Sequence, residues 1–201
     1  KLEVYLPAKH MSGRGDALNI ALLTLTLSSP QEGVIKVSAV HHKGMPYKGP
    51  FAAVKNENPN VTIEDTEDQL IYKSGTLKAV IDKAPNAYKL AFYEGDTFLT
   101  ESSFRNLAYL NYMVEQLLLD VGEYVYGLGE RFTPFVKNGQ IVEMWNEDGG
   151  TASEIAYKNI PFYITNKGYG VLVDNEGDVA YEIGSEKVER VQFSVESERL
   201  D

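Results

Sequence analysis

The sequence predicts an all-β fold, an antiparallel β-sandwich with little helix, forming a single domain over residues 1–201. Three observations predict it. Short runs alternate apolar and polar residues, turn-forming residues separate them at close intervals, and stretches with a helical period are scarce. The 201 residues suit one ordinary domain or one large sandwich. A globule of this size buries roughly 70% of its unfolded surface, so it can fold without disulfides or metals.

The elements follow in order. Residues 19–28 alternate, with Leu23, Leu25 and Leu27 on one face and Thr24 and Thr26 on the other. A turn cluster at residues 30–33 ends that run, and residues 34–40 resume it with Ile35, Val37 and Ala39 facing inward. Residues 43–60 are rich in Gly, Pro and Asn and predict a long surface loop. Further strands are expected at 61–63, 69–73, 76–81, 88–93 and 97–100, the last two joined by a turn at 94–96. The best helix candidate is 111–120, where Met113, Leu117 and Leu118 approximate a helical stripe; a buried strand would use the same residues. In the second half, Asn138-Gly139 predicts a hairpin between 135–137 and 140–142, because both residues tolerate the positive φ of a type I′ turn. A second hairpin is expected around Asn166-Lys167-Gly168, followed by strands at 179–183 and 191–195.

Composition narrows the function classes. The net charge of −10 argues against nucleic acid, which requires clustered Lys and Arg. No apolar run approaches the ~20 residues that span a bilayer. The absence of cysteine removes disulfides, thiolate nucleophiles and thiolate zinc sites, and suits a reducing, cytoplasmic location. Both ends read as cut: Lys1 opens directly into a strand-like stretch, and the chain stops just after another.

Twenty-nine acidic residues make carboxylate pairs unavoidable, so their number alone does not identify a glycosidase pair. The histidines are His10, His41 and His42, and adjacent strand residues point to opposite faces, so His41 and His42 cannot chelate one ion together. No metal site, cofactor motif or nucleophile elbow is present. Arg14-Gly15-Asp16 spells an adhesion tripeptide and Asn60-Val61-Thr62 a glycosylation sequon, but matches this short recur by chance.

The informative stretch begins at residue 124. In Tyr126-Gly127-Leu128-Gly129-Glu130-Arg131-Phe132 two glycines flank one apolar residue, which reads as a bulge, a sheet corner or a close backbone approach. Then follows Trp145-Asn146-Glu147-Asp148-Gly149-Gly150-Thr151, containing the only tryptophan. An aromatic face with nearby amide and carboxylate groups is the equipment for binding a sugar. The same residues also fit a hairpin with a core Trp and a Gly-Gly turn capped by Asp148.

These two segments, with 156–163 (Ala-Tyr-Lys-Asn-Ile-Pro-Phe-Tyr) and 167–173 (Lys-Gly-Tyr-Gly-Val-Leu-Val) in the same order and spacing, resemble glycoside hydrolase family 31, and within it the bacterial α-xylosidases. Residues 184–198 continue the likeness, and weaker similarity reaches back through 62–75 and 29–33. The resemblance implies an amino-terminal β-sandwich of the galactose mutarotase-like supersandwich type, lying ahead of a catalytic (β/α)8 barrel that would follow residue 201. In that family two barrel Asp residues cleave the glycoside with retention, so this chain would carry no catalytic residue. A sandwich loop reaches the barrel mouth, and its Asp matches Asp148 here. Asp148, Trp145 and Asn146 are therefore the expected substrate-binding residues, while the 127–131 turn, with Glu130 and Arg131, would pack on the barrel. Glu147 stands where the family usually has a basic residue, adding negative charge beside Asp148.

The expected function is thus an accessory domain of a retaining α-glycosidase acting on terminal α-xylosides or α-glucosides. Its expected partners are that carbohydrate and the barrel of the same polypeptide, with homo-oligomerisation frequent in such enzymes. The alternative is a stand-alone carbohydrate-binding sandwich. Mutarotase-type catalysis by the sandwich itself would need a His and a Glu in one cleft, and the sequence gives no sign of that.

Overall fold

A computed structural model describes residues 1–18, 20–44, 46–49, 59–84, 88–151 and 153–201. Along the chain run β1 (Leu2–Pro7), β2 (Leu22–Ser28), β3 (Lys36–Val40), β4 (Val61–Asp65), β5 (Gln69–Ser74), β6 (Leu77–Asp82), β7 (Lys89–Glu94), β8 (Thr97–Ser103) and β9 (Ala108–Tyr109). They are followed by β10 (Met113–Leu118), β11 (Val125–Gly127), β12 (Gln140–Met144), β13 (Phe162–Thr165), β14 (Gly170–Leu172), β15 (Val179–Ile183), β16 (Arg190–Val195) and β17 (Arg199–Leu200). Helical structure among the described residues is limited to a 3-10 turn at Asp16–Leu18. None is long and apolar enough to cross a membrane.

Four antiparallel sheets result, ordered β1-β2-β3-β17, β4-β5-β6-β7-β8, β12-β15-β16-β10-β9 and β11-β13-β14. Alternation decides which side each presents. On β2, Leu23, Leu25 and Leu27 are buried as expected, whereas Thr24 and Thr26 lie on the opposite face. One apolar core joins all four sheets, with Leu25, Tyr72, Met113, Val125, Tyr163 and Tyr181 among its fully enclosed members. The 166–168 hairpin forms as predicted: Phe162 pairs with Leu172, and Gly168 takes φ +86°.

Two expectations are corrected. The helix candidate at 111–120 is strand β10, paired along its length with β16. Met113, Val114, Glu115 and Leu117 are all buried because this inner strand is covered on both faces, which erases the alternation and imitates a helical stripe. The Asn138-Gly139 hairpin does not form. Gly139 has φ +82°, but residues 135–137 form no strand and β12 pairs instead with β15. The Asn138 carboxamide instead ties down the start of β11, its Oδ1 accepting from Val125 N at 2.9 Å and its Nδ2 donating to Glu123 O at 2.9 Å. The described part of the predicted 43–60 loop carries no strand or helix, and its residues 45 and 50–58 lie outside the described residues.

Candidate functional site: the loop after β12

On β12 the even positions Val142 and Met144 point into the core and the odd positions Ile141 and Glu143 outward. Trp145 continues the odd series and is 54% exposed, so it is a surface tryptophan rather than a core one. Asn146 forms an isolated parallel bridge with Ala156, and Glu147 N donates to Ala156 O at 3.1 Å. The loop therefore leaves the sheet at 145 and is caught again ten residues later.

Asn159 and Arg131 do the catching. Asn159 Nδ2 lies 2.6 Å from Trp145 O, 2.9 Å from Asn146 Oδ1 and 2.8 Å from Ala156 O, and its backbone N–H donates to Asn146 Oδ1 at 3.2 Å. The Arg131 guanidinium donates to three backbone carbonyls, Leu128 at 3.1 Å, Glu154 at 3.0 Å and Glu143 at 3.0 Å, and also to Asn159 Oδ1. Burial pushes the Arg131 pKa down, yet guanidinium remains protonated in proteins, so the clamp is a fixed cation satisfied mainly by carbonyl dipoles. The Arg131 guanidinium is thus engaged within the domain. Glu130 stays at the surface, 2.8 Å from Lys158 Nζ.

Asp148 is exposed, and its Oδ1 accepts from Gly150 N at 3.3 Å, closing a turn in which Gly150 has φ +66°. The turn-capping and sugar-binding readings of this residue are compatible, since a carboxylate has lone pairs left after one such bond. Between the 129–132 turn and residues 149–158 lies a cavity of about 370 Å³. Gly149 and Gly150 border it with Phe132 and Tyr157, whereas Trp145, Asn146 and Asp148 do not. The three predicted residues are therefore brought together on one exposed loop, with Asn146 Oδ1 committed to holding it. Sequence reasoning missed the Arg131–Asn159 clamp, and periodicity carries no signal for it, because it gathers carbonyls from residues 128, 143 and 154.

Elsewhere, His41 Nδ1 meets Glu198 Oε2 at 2.5 Å, a pairing across 157 positions that the sequence did not reveal. Tyr109 stacks on the imidazole at 3.9 Å and donates to Glu198 Oε1 at 2.6 Å, so both carboxylate oxygens are engaged in a clasp between sheets. Asp16 of the Arg-Gly-Asp tripeptide is likewise used internally, accepting from Ser12 N at 3.0 Å, Ser12 Oγ at 2.9 Å and Gly13 N at 3.2 Å. No cluster of three or more metal-ligating acids, histidines or cysteines occurs among the described residues.

The decisive comparison is with known families: residues 24–182 match the glycosyl hydrolase 31 N-terminal galactose mutarotase-like domain. The chain belongs to this family. It is 44% identical to the α-xylosidase XylQ of Lactiplantibacillus pentosus over 99% of its own length and 27% of that protein's. It is 42% identical to an α-xylosidase of Emericella nidulans over 96% of its length and 28% of the relative's. This family 31 chain therefore spans about a quarter of the relatives it matches. Among solved structures, a Flavobacterium johnsoniae GH31 dextranase complexed with isomaltotriose superposes with a TM-score of 0.78 at 20% identity, covering 98% of this chain and 25% of that one. A GH31 α-xylosidase from a soil metagenome complexed with xylose gives 0.72 at 16% identity, covering 89% and 29%. Both likenesses show the fold of the family 31 domain.

Proposed function

We propose that the chain is the accessory amino-terminal domain of a retaining α-glycosidase that hydrolyses terminal α-xylosides or α-glucosides, and that its 145–151 loop completes the substrate pocket of a catalytic (β/α)8 barrel in the same polypeptide. The observation that carries this reading is the end-to-end match to proteins named α-xylosidases, of which the chain spans only a quarter. The loop is suited to the role: Arg131 and Asn159 hold its base, while Trp145 and Asp148 stay exposed. A sugar ring would stack its C–H groups on the indole and donate hydroxyl protons to the carboxylate.

The test is Asp148→Ala in the full-length enzyme with an aryl α-xyloside. A hydrogen bond to a charged acceptor contributes about 1.5–3 kcal/mol, so kcat/KM should fall by roughly 10- to 150-fold. An unchanged kcat/KM would remove Asp148 from the pocket.

A further inference from the structure

A groove of about 610 Å³ lies on the outer face of the β1-β2-β3-β17 sheet, and it shares no lining residue with the Asp148 loop. We propose that this groove is a second binding site, for a neutral oligosaccharide. Its floor is built from sheet rungs: Thr24 stands beside Val40, which pairs with Arg199, and Thr26 stands beside Glu3. The solvent-side face of such a sheet is ordinarily open, yet Thr24 is only 8% exposed because loops rise around it. The volume falls within the roughly 300–1,000 Å³ typical of small-molecule sites.

The charges say what kind of ligand fits. Glu3 is paired with Lys43 and Glu176 with Lys48, each at 3.3 Å, and Glu198 is held by His41 and Tyr109. Arg199 is bound to Asp201 at 2.8 Å. The charged groups of the lining thus alternate in sign, and the two that make no ion pair among the described residues, Lys1 and Glu196, are one of each sign, so the groove offers neither an anion nor a cation a concentrated counter-charge. What remains is a set of polar side chains, Thr26, His42, Asn111 and Glu196, that make no hydrogen bond to other described residues. Together they supply both donors and acceptors, and Glu196 in particular accepts from hydroxyl groups while repelling anions. An aromatic wall completes the requirement. The Tyr47 ring carries the Arg199 guanidinium at 3.7 Å, its hydroxyl accepts from Lys36 Nζ at 3.3 Å, and the side chain remains 41% exposed. A ring anchored in this way loses little entropy when the C–H face of a sugar stacks on it.

Amide 1H–15N titration of the chain with maltotriose, isomaltotriose and isoprimeverose (α-xylosyl-1,6-glucose) tests the proposal. At least one probe should give saturable shifts at the amides of Thr24, Thr26, Val40 and Arg199, with a dissociation constant around 1 mM. Tyr47→Ala and Glu196→Ala should each weaken binding roughly tenfold, equivalent to 1.4 kcal/mol. Glu196 is exposed and makes no hydrogen bond or ion pair to another described residue, so its variant reports on binding even if Tyr47→Ala disturbs Arg199. Asp148→Ala should leave these shifts unchanged, and inorganic phosphate should not produce them. Shifts confined to residues 145–159 would overturn the groove while supporting the Asp148 reading. Absence of saturable shifts at the groove, or their appearance with phosphate, would overturn it outright.

Discussion

Glu115 stands on β10 between two sheets, buried, with Oε1 accepting from Ser102 Oγ at 2.7 Å and from Gln116 N at 2.8 Å. The Tyr88 hydroxyl, whose pKa burial and the nearby Glu115 charge both raise, is enclosed without a hydrogen-bond partner among the described residues. Desolvation pushes the Glu115 carboxyl up to about 7, more than the Ser102 and Gln116 bonds pull it down. The stability consequence has a definite sign. Below the ordinary value near 4.5 the group is neutral in both folded and unfolded chains. Between 4.5 and about 7 the unfolded chain ionises while the folded one holds its proton, so stability falls as pH rises. Above that the loss is constant, on the order of 3 kcal/mol. Glu115→Gln should therefore raise Tm at pH 8, by about 2–4 °C per kcal/mol recovered, and change it far less at pH 4.5. Thermal unfolding at the two pH values checks this; an equal Tm difference at both would show that Glu115 does not titrate in that window.

At the level of elements, the turn after β11 illustrates what a sequence pattern does and does not disclose. Gly127, Leu128 and Gly129 have φ values of +105°, +65° and +86°, and the middle residue is fully buried. The flanking glycines left a bulge, a sheet corner and a close backbone approach open, and the fold shows a close approach, to residues 158–163. A Cβ on Gly129 would sit 2.1 Å from Lys158 O and 2.9 Å from Ile160 N, where backbone cannot yield. Gly139 has a similar φ of +82° with nothing within 4 Å of such a Cβ. Gly139→Ala should cost about 1–2 kcal/mol, the conformational penalty alone, and Gly129→Ala at least about 2 kcal/mol more in urea unfolding. Equal losses would mean the crossing at residue 158 is not tight. The same distinction governs how legible the fold was. Alternating strands such as β2 were legible because apolar side chains take one face, against the core, and the polar Thr24 and Thr26 take the other. Strand β10 was not, because burial on both faces leaves no period to read. Trp145, Asn146 and Asp148 were legible as one loop through composition and resemblance, whereas the clamp of Arg131 on Asn159 and three carbonyls depends on tertiary placement that no local pattern encodes.

At the scale of the whole molecule, three of the exposed large apolar residues, Phe162, Ile164 and Leu172, lie together on the β11-β13-β14 sheet. Tyr126 lies beside Ile164 across one strand pair and Phe162 beside Leu172 across the other. The Phe135 ring extends the stripe, 5.2 Å from that of Tyr126. Ile164, Phe162, Leu172 and Phe135 are all exposed, a contiguous apolar patch of the kind that marks an interface. Under the proposed function this patch is where the catalytic barrel packs. That reading requires a contrast between two contexts. In this chain alone, the double substitution Ile164→Ser and Leu172→Ser removes partly solvated side chains and should change stability by less than about 1 kcal/mol while reducing binding of a hydrophobic dye. In the full-length enzyme the same side chains would be enclosed, at about 1.5–3 kcal/mol each for complete burial, so Tm and activity should both drop. Calorimetry of the two forms side by side decides the matter: a stability loss of the same size in both would place the barrel elsewhere on the domain.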